Sequence, residues 1–208
     1  MLLSSTQVFA FLATALALTA APGPDNLMIL SIGMSRGRAQ GVAFGLGCAF
    51  GCLSHTLLAA LGISALIAAS PHAFFALKLC GGLYLGYLGV QALRGDGHLT
   101  LTSATTKTPL LGLFLKGLLA NAINPKVVLF FLSLLPQFIH AERGHVAWQT
   151  AQFGLIFTAQ AALLFALLGA FSGIVGRWLQ AHAHAGKWLD RLAGSFLIAL
   201  GIRLIVTR

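Results

Sequence analysis

Six long apolar stretches, separated by short polar intervals, run the length of the chain. The first extends from about Ser5 to Gly33 and is interrupted by Pro22-Gly23-Pro24-Asp25-Asn26. The second runs from about Gly41 to Ala69 and stops at Ser70-Pro71; the third runs from about Phe74 to Leu93. The fourth, from about Leu110 to Ile139, is interrupted by Asn121 and by Asn124-Pro125-Lys126. The fifth covers about Val146 to Ile174, and the sixth about Trp188 to Val206. Each is long enough to cross a hydrocarbon core of about 30 Å as a helix. Helices satisfy their own backbone groups, which lipid cannot do. The runs are continuous rather than alternating, which disfavours a β-barrel. The pattern predicts an all-α, polytopic membrane protein: six transmembrane helices in a single domain spanning residues 1–208.

Composition supports this and removes other classes. Hydrophobic residues make up 58% of the 208 positions and charged residues 8%, with a mean hydropathy of +0.89. A soluble domain carries roughly 25% charged residues, so this chain lacks the polar surface of a soluble enzyme. The formal charge of +9 does not point to nucleic acid. The basic residues are spread between apolar stretches, as topology signals are, and do not gather on a groove-reading helix. The three cysteines, Cys48, Cys52 and Cys80, all fall inside apolar segments; an odd, buried set argues against a disulfide framework. Met1 to Ser35 contains no Lys or Arg, so the first apolar run lacks the basic region of a cleaved signal and is expected to be a retained span.

Lys and Arg set the orientation. The intervals after spans one, three and five hold Arg36, Arg38, Arg94, Lys107, Arg177, Lys187 and Arg191; the other side holds Arg143 and Arg208, with Arg203 near that end. The positive-inside bias places the first group, with Lys116 close by, in the cytoplasm and both termini outside. Lys78, near the outer end of span three, has a stem long enough to snorkel.

The two halves of the chain resemble each other. Ala21-Pro22-Gly23-Pro24-Asp25-Asn26-Leu27 aligns with Ala122-Ile123-Asn124-Pro125-Lys126-Val127-Val128, and Lys78-Leu79-Cys80-Gly81-Gly82 with Arg191-Leu192-Ala193-Gly194-Ser195. Repeat one covers about 1–95 and repeat two about 109–208, joined by a cytoplasmic linker at about 94–108. A three-span repeat must insert its second copy upside down. Inverted repeats with proline-broken helices at matching positions mark transporters that bind substrate at the breaks. Glycines recur in spans two, three and six, where small residues let helices approach closely; such faces serve a compact bundle or a homodimer.

Only four acids exist in the chain, and Asp25 alone falls inside a span. A carboxylate at bilayer depth costs about 2.5–3.5 kcal/mol on insertion scales and defaults to a functional reading: a cavity-facing group that binds a cation or takes up a proton. The alternative is a structural partner or an N-cap of the restarted helix. Lys126 is its counterpart, suited to a substrate carboxylate or to a salt bridge with Asp25. Pro22, Pro24 and Pro125 remove backbone donors and free carbonyls one turn earlier. Asn26, Asn121 and Asn124 supply donors and acceptors near the same depth. His55, Lys78 and Gln160 are secondary candidates. A lone histidine such as His55 is more often a packing group, and Gln152 and Gln160 either line a cavity or bridge helices. No nucleophile–base pair stands out, no metal-ligand set is complete, His182 and His184 included, and no phosphate loop or other cofactor motif occurs. An intramembrane enzyme would have to rest on His55 with Cys52 or Cys48; a passive channel is the other rival.

The segment from Pro22-Gly23-Pro24-Asp25-Asn26 to Arg36-Gly37-Arg38-Ala39-Gln40-Gly41 resembles the first-span signature of the lysine-exporter superfamily, homoserine/threonine-resistance (LysE/RhtB) branch. Leu77-Lys78 through Gly81-Gly82, Tyr84, Gly86, Tyr87 and Gly89 resembles its third-span motif. Phe114 through Asn121, Asn124-Pro125-Lys126, Phe130-Phe131 and Leu135-Pro136-Gln137-Phe138 resembles its fourth. The resemblance covers nearly the whole chain. It implies a bacterial inner-membrane exporter, driven by the proton gradient, of amino acids or close derivatives: homoserine- or threonine-like compounds, homoserine lactone, leucine or other neutral amino acids.

Overall fold

The computed structural model describes residues 3–69, 71–95 and 108–206. The break at Ser70, Asp96, Lys107, Arg208 and most of the expected linker lie outside the described residues. Among those described, every regular element is helical. Nine α-helices follow in order: α1 Ser5–Ala20, α2 Pro24–Arg36, α3 Arg38–Ala69, α4 Pro71–Leu93, α5 Leu110–Ala122, α6 Pro125–Leu129, α7 Val146–Ala170, α8 Ser172–Ala181 and α9 Ala183–Val206.

Local chemistry sets the ends. Ser4 caps α1 reciprocally: its Oγ accepts from the Gln7 amide at 3.3 Å, and Gln7 Oε1 accepts from the Ser4 amide at 2.9 Å. This satisfies two of the donors that every helix start leaves orphaned. Pro24 and Pro125 each open a helix as its first residue, where a missing N–H costs nothing. The preceding helices therefore stop, and the axis turns by 55° between α1 and α2 and by 50° between α5 and the segment Pro125–Phe138. Beyond α6 the chain passes through a π-helical turn, Phe130–Leu134, and a 3₁₀ turn, Leu135–Phe138.

Among the described residues, two helical stretches, Arg38–Gly62 and Val146–Ala170, are long and apolar enough to cross a membrane by themselves; counting each bent pair as one span gives four. The fifth apolar stretch departs from expectation. Its helix ends at Ala170, and α8 restarts at Ser172, whose hydroxyl donates to the Gly169 carbonyl at 2.8 Å. The last helix begins at Ala183 rather than near Trp188, so Asp190 lies within α9 and not at its start.

α3 is the central element, in contact with α5, α7 and α2. A Cβ on Gly47 would strike the Phe114 carbonyl of α5, and one on Gly117 the Phe44 carbonyl of α3, so backbone meets backbone there. The other close pair is α4 with α9. A Cβ at Gly82 would lie 2.7 Å from the Gly201 carbonyl oxygen, and one at Gly201 would lie 2.5 Å from that of Gly82; Gly89 and Gly194 stand in the same relation at 2.6 Å each way.

The aromatic core lies where α1 and α7 begin and the chain leaves α6. Phe11 packs against Phe153, Phe130 and Phe138 with centroids 4.6, 6.0 and 5.3 Å away, and Phe157 closes on Phe130 at 4.8 Å. Polar groups tie the same end shut. Gln7 Nε2 donates to the Phe138 carbonyl at 3.1 Å, Arg143 donates to Gln7 Oε1 at 2.9 Å, and Gln149 Nε2 donates to the His140 and Gly144 carbonyls. Beside them, the exposed Glu142 carboxyl is held below the usual range by its own backbone amide and by His140 at 2.6 Å.

Candidate functional site: two facing helix breaks

Each break exposes backbone carbonyls that a continuous helix would have used, and side chains from the facing segments take them. Thr19 O accepts from Asn26 Nδ2 at 2.9 Å, and Ala21 O accepts from Lys126 Nζ at 2.8 Å. At the other break, Asn121 O lies 3.0 Å from His55 Nε2 and accepts from the Asn124 amide at 2.9 Å. Asn124 Oδ1 accepts from the Lys126 amide at 3.1 Å and so caps α6. A broken helix at membrane depth is tolerated when protein groups re-satisfy the freed backbone in this way.

The two charges meet at this point. Asp25, in the first turn of α2, is 5% exposed, and Lys126, in the first turn of α6, is 7% exposed. Asp25 Oδ2 accepts from Asn121 Nδ2 at 2.8 Å, and Asn121 Oδ1 in turn accepts from Cys52 Sγ at 3.4 Å. No ion pair within 4.0 Å joins Asp25 to Lys126. Each charge is held by neutral groups, so the salt bridge weighed from sequence is not made. Between them lies a small space of about 20 Å³, lined among others by Thr19, Asn121, Asn124 and Phe157.

Two larger cavities flank α2. One, of about 490 Å³, starts at Asp25 and Pro24 and runs between α2, α3 and α5 to Arg36 and Lys116. The other, of about 670 Å³, starts at Lys126 and Pro22 and runs between α2 and the α4–α9 pair to Gln91 and Asp190. Both touch Pro24, Asn124 and Pro125. Phe157 of the phenylalanine cluster lines the space between the two charges and packs on Phe130.

The structure therefore brings together Pro22, Pro24, Asp25, Asn26, Asn121, Asn124, Pro125 and Lys126, with His55 behind Asn121. Gln160 reaches the same wall, donating from Nε2 to Thr19 Oγ1 at 2.8 Å. Lys78 is buried on α4. Thr19 is not singled out in the sequence; Cys52 is, but only as a partner of His55 in the enzyme alternative. Thr19 is a polar residue on the last turn of an otherwise apolar helix, which was the available signal; nothing else distinguished Cys52 from a packing residue.

The comparisons with known proteins place the chain in a family. The family described as LysE type translocator matches residues 16–208. A Vibrio cholerae protein called an uncharacterized membrane protein is 30% identical over 200 residues, covering 96% of each chain. The threonine efflux protein of Escherichia coli strain K12 is 30% identical over 191 residues, covering 90% of this chain and 91% of its own. The homoserine/homoserine lactone efflux protein of Salmonella typhimurium is 27% identical over 203 residues, covering 96% of each. No solved structure matches. With the family matching from the end of α1 onward, the chain belongs to the LysE family of membrane translocators.

Proposed function

We propose that this protein exports zwitterionic amino acids, threonine- or homoserine-like compounds among them, from the bacterial cytoplasm across the inner membrane in exchange for protons. The observation that carries the reading is the pair of buried, opposite and mutually unpaired charges at facing helix breaks. An α-amino acid presents an ammonium and a carboxylate two bonds apart. Asp25 would take the ammonium; Lys126, with the start of α6 and Asn124, would take the carboxylate, since a helix start favours anions. Proton uptake by Asp25 from outside would cancel its attraction for the ammonium and release the substrate there.

The cavity that reaches Arg36 and Lys116 supports entry from that side, the positively charged face that this reading takes as cytoplasmic. The phenylalanine cluster would be the closed outer barrier, with both termini outside. The reading takes six spans in two inverted repeats, α1–α2 to α4 and α5–α6 to α9, rocking about the breaks. The α4–α9 contact is consistent with it in a register of 112 residues, one fewer than the alignment of Lys78 with Arg191 gives: Gly82 then corresponds to Gly194 and Gly89 to Gly201, and each contact exchanges into the other.

The test is efflux from loaded cells. Threonine or homoserine should leave faster than in cells lacking the protein, and an uncoupler should abolish the difference. The corresponding amine without a carboxylate, and the acid without an amine, should not be exported. Export of either one-charge analogue at the amino-acid rate would overturn the reading.

A further inference from the structure

The cavity between α2 and the α4–α9 pair has a volume of about 670 Å³, inside the range of about 300–1,000 Å³ typical of small-molecule sites. Its walls are largely aliphatic, with Leu30 of α2, Leu88 of α4, Leu168 of α7, Leu179 of α8 and Leu197 of α9 among them. Lys126 is the one cation among the described residues that line it. Asp25 does not line it and belongs to the wall of the other cavity. An ammonium group offers three donors, and the Ala21 carbonyl accepts from Lys126 Nζ at 2.8 Å. No carboxylate pairs with Lys126 among the described residues. Gly23, on the same wall, has no side chain to lie against the ammonium; a Cβ there would stand 3.3 Å from Nζ. A buried charge answered by a neutral carbonyl is costly, and an anion relieves that cost.

We infer that this cavity binds monocarboxylates carrying an apolar chain of several carbons, with the carboxylate on Lys126 and the chain along the leucines. The inference goes beyond amino-acid export, because it uses the cation of the zwitterion site without its acid and asks for no ammonium. The head group fixes the orientation of the ligand, and the chain contributes through burial, about fourfold in affinity for each methylene. Such a ligand has two sources: a free acid, or an amino acid whose side chain is long and apolar.

The test is ligand-induced stabilisation of the detergent-purified protein near neutral pH, where hexanoate is ionised. A ligand that binds only the folded chain raises its melting temperature saturably. Hexanoate should do so, and butanoate, two methylenes shorter, should need a concentration about 16-fold higher for the same shift. 1-Hexanol, with a chain of the same length and no carboxylate, should give no such shift. Lys126→Met, which keeps the length and removes the charge, should lose the response. Leu88→Trp places an indole in the cavity and leaves Lys126 in position; it should weaken hexanoate more than butanoate. Each variant is read against its own ligand-free melting temperature, and the chain-length and hexanol comparisons on the unaltered chain stand even where a variant fails to fold. Norleucine, which is hexanoate with an α-ammonium, separates the two sources: a stronger response than hexanoate's makes the cavity the side-chain pocket of an exported amino acid, and a weaker one makes it a site for the free acid. An equal shift with 1-hexanol, or a full hexanoate response in Lys126→Met, overturns the inference. Threonine efflux from loaded cells is measured separately, so that result leaves amino-acid export standing.

Discussion

Asn121, at the end of α5, donates its side-chain amide to Asp25, at the start of α2, across 2.8 Å. One hydrogen bond thus joins the two helix breaks, linking residues 96 positions apart in sequence. Asn121 is 1% exposed, and Cys52 and His55 of α3 hold its oxygen atoms. The carboxylate sits in a frame contributed by three separate segments.

That frame makes a first prediction. Asn121→Leu removes the donor and leaves a buried carboxylate oxygen unpaired, at a cost of about 1–3 kcal/mol or more. For a chain of this size each kcal/mol shifts the melting temperature by about 2–4 °C. Thermal unfolding of the detergent-purified protein should fall by several degrees. An unchanged melting temperature would mean that Asp25 is held by something else.

The α4–α9 contact gives a second. Gly82→Ala places a methyl 2.7 Å from the Gly201 carbonyl, and backbone cannot yield there as a flexible side chain can. It should lower thermal stability and the yield of folded protein. Gly86→Ala, four residues on in the same helix, meets nothing within 4 Å and should be neutral or stabilising by up to about 1 kcal/mol, since alanine is the better helix former. Equal effects of the two would contradict the close approach.

Much of this was legible in the chain itself, and the reasons are specific. Proline at positions 22, 24 and 125 dictates helix ends whatever surrounds it, so both breaks could be placed, and a lone acid in an apolar run drew attention to Asp25. The partners of those residues could not be read. Thr19, Cys52 and His55 reach the site through tertiary packing, which leaves no mark in local pattern. The turn at Phe171 was hidden for another reason: Ser172 ends α7 through its own side chain inside an uninterrupted apolar run, where hydropathy stays level across the break. The π-helical turn at Phe130–Leu134 is likewise invisible to a pattern built on the α-helical period.

Access to the site gives a third prediction. Ala120 lines the cavity that runs from Asp25 to Arg36 and Lys116. Cys80 is the exposed native thiol, whereas Cys48 and Cys52 are buried. In a Cys80→Ser background, Ala120→Cys should react with a small, charged, membrane-impermeant thiol reagent in inside-out vesicles and resist it in intact cells. Labelling from the outside only would reverse the proposed orientation.

The central claim is that Asp25 is the group exchanging substrate ammonium for a proton. Its most direct test is amino-acid efflux from loaded cells carrying Asp25→Asn or Asp25→Ala, with the amount of protein in the membrane measured alongside. The account predicts that both variants reach the membrane and export no faster than cells lacking the protein, because neither side chain can bind the cation or take up the proton. Export by both at the rate of the unaltered chain would contradict it.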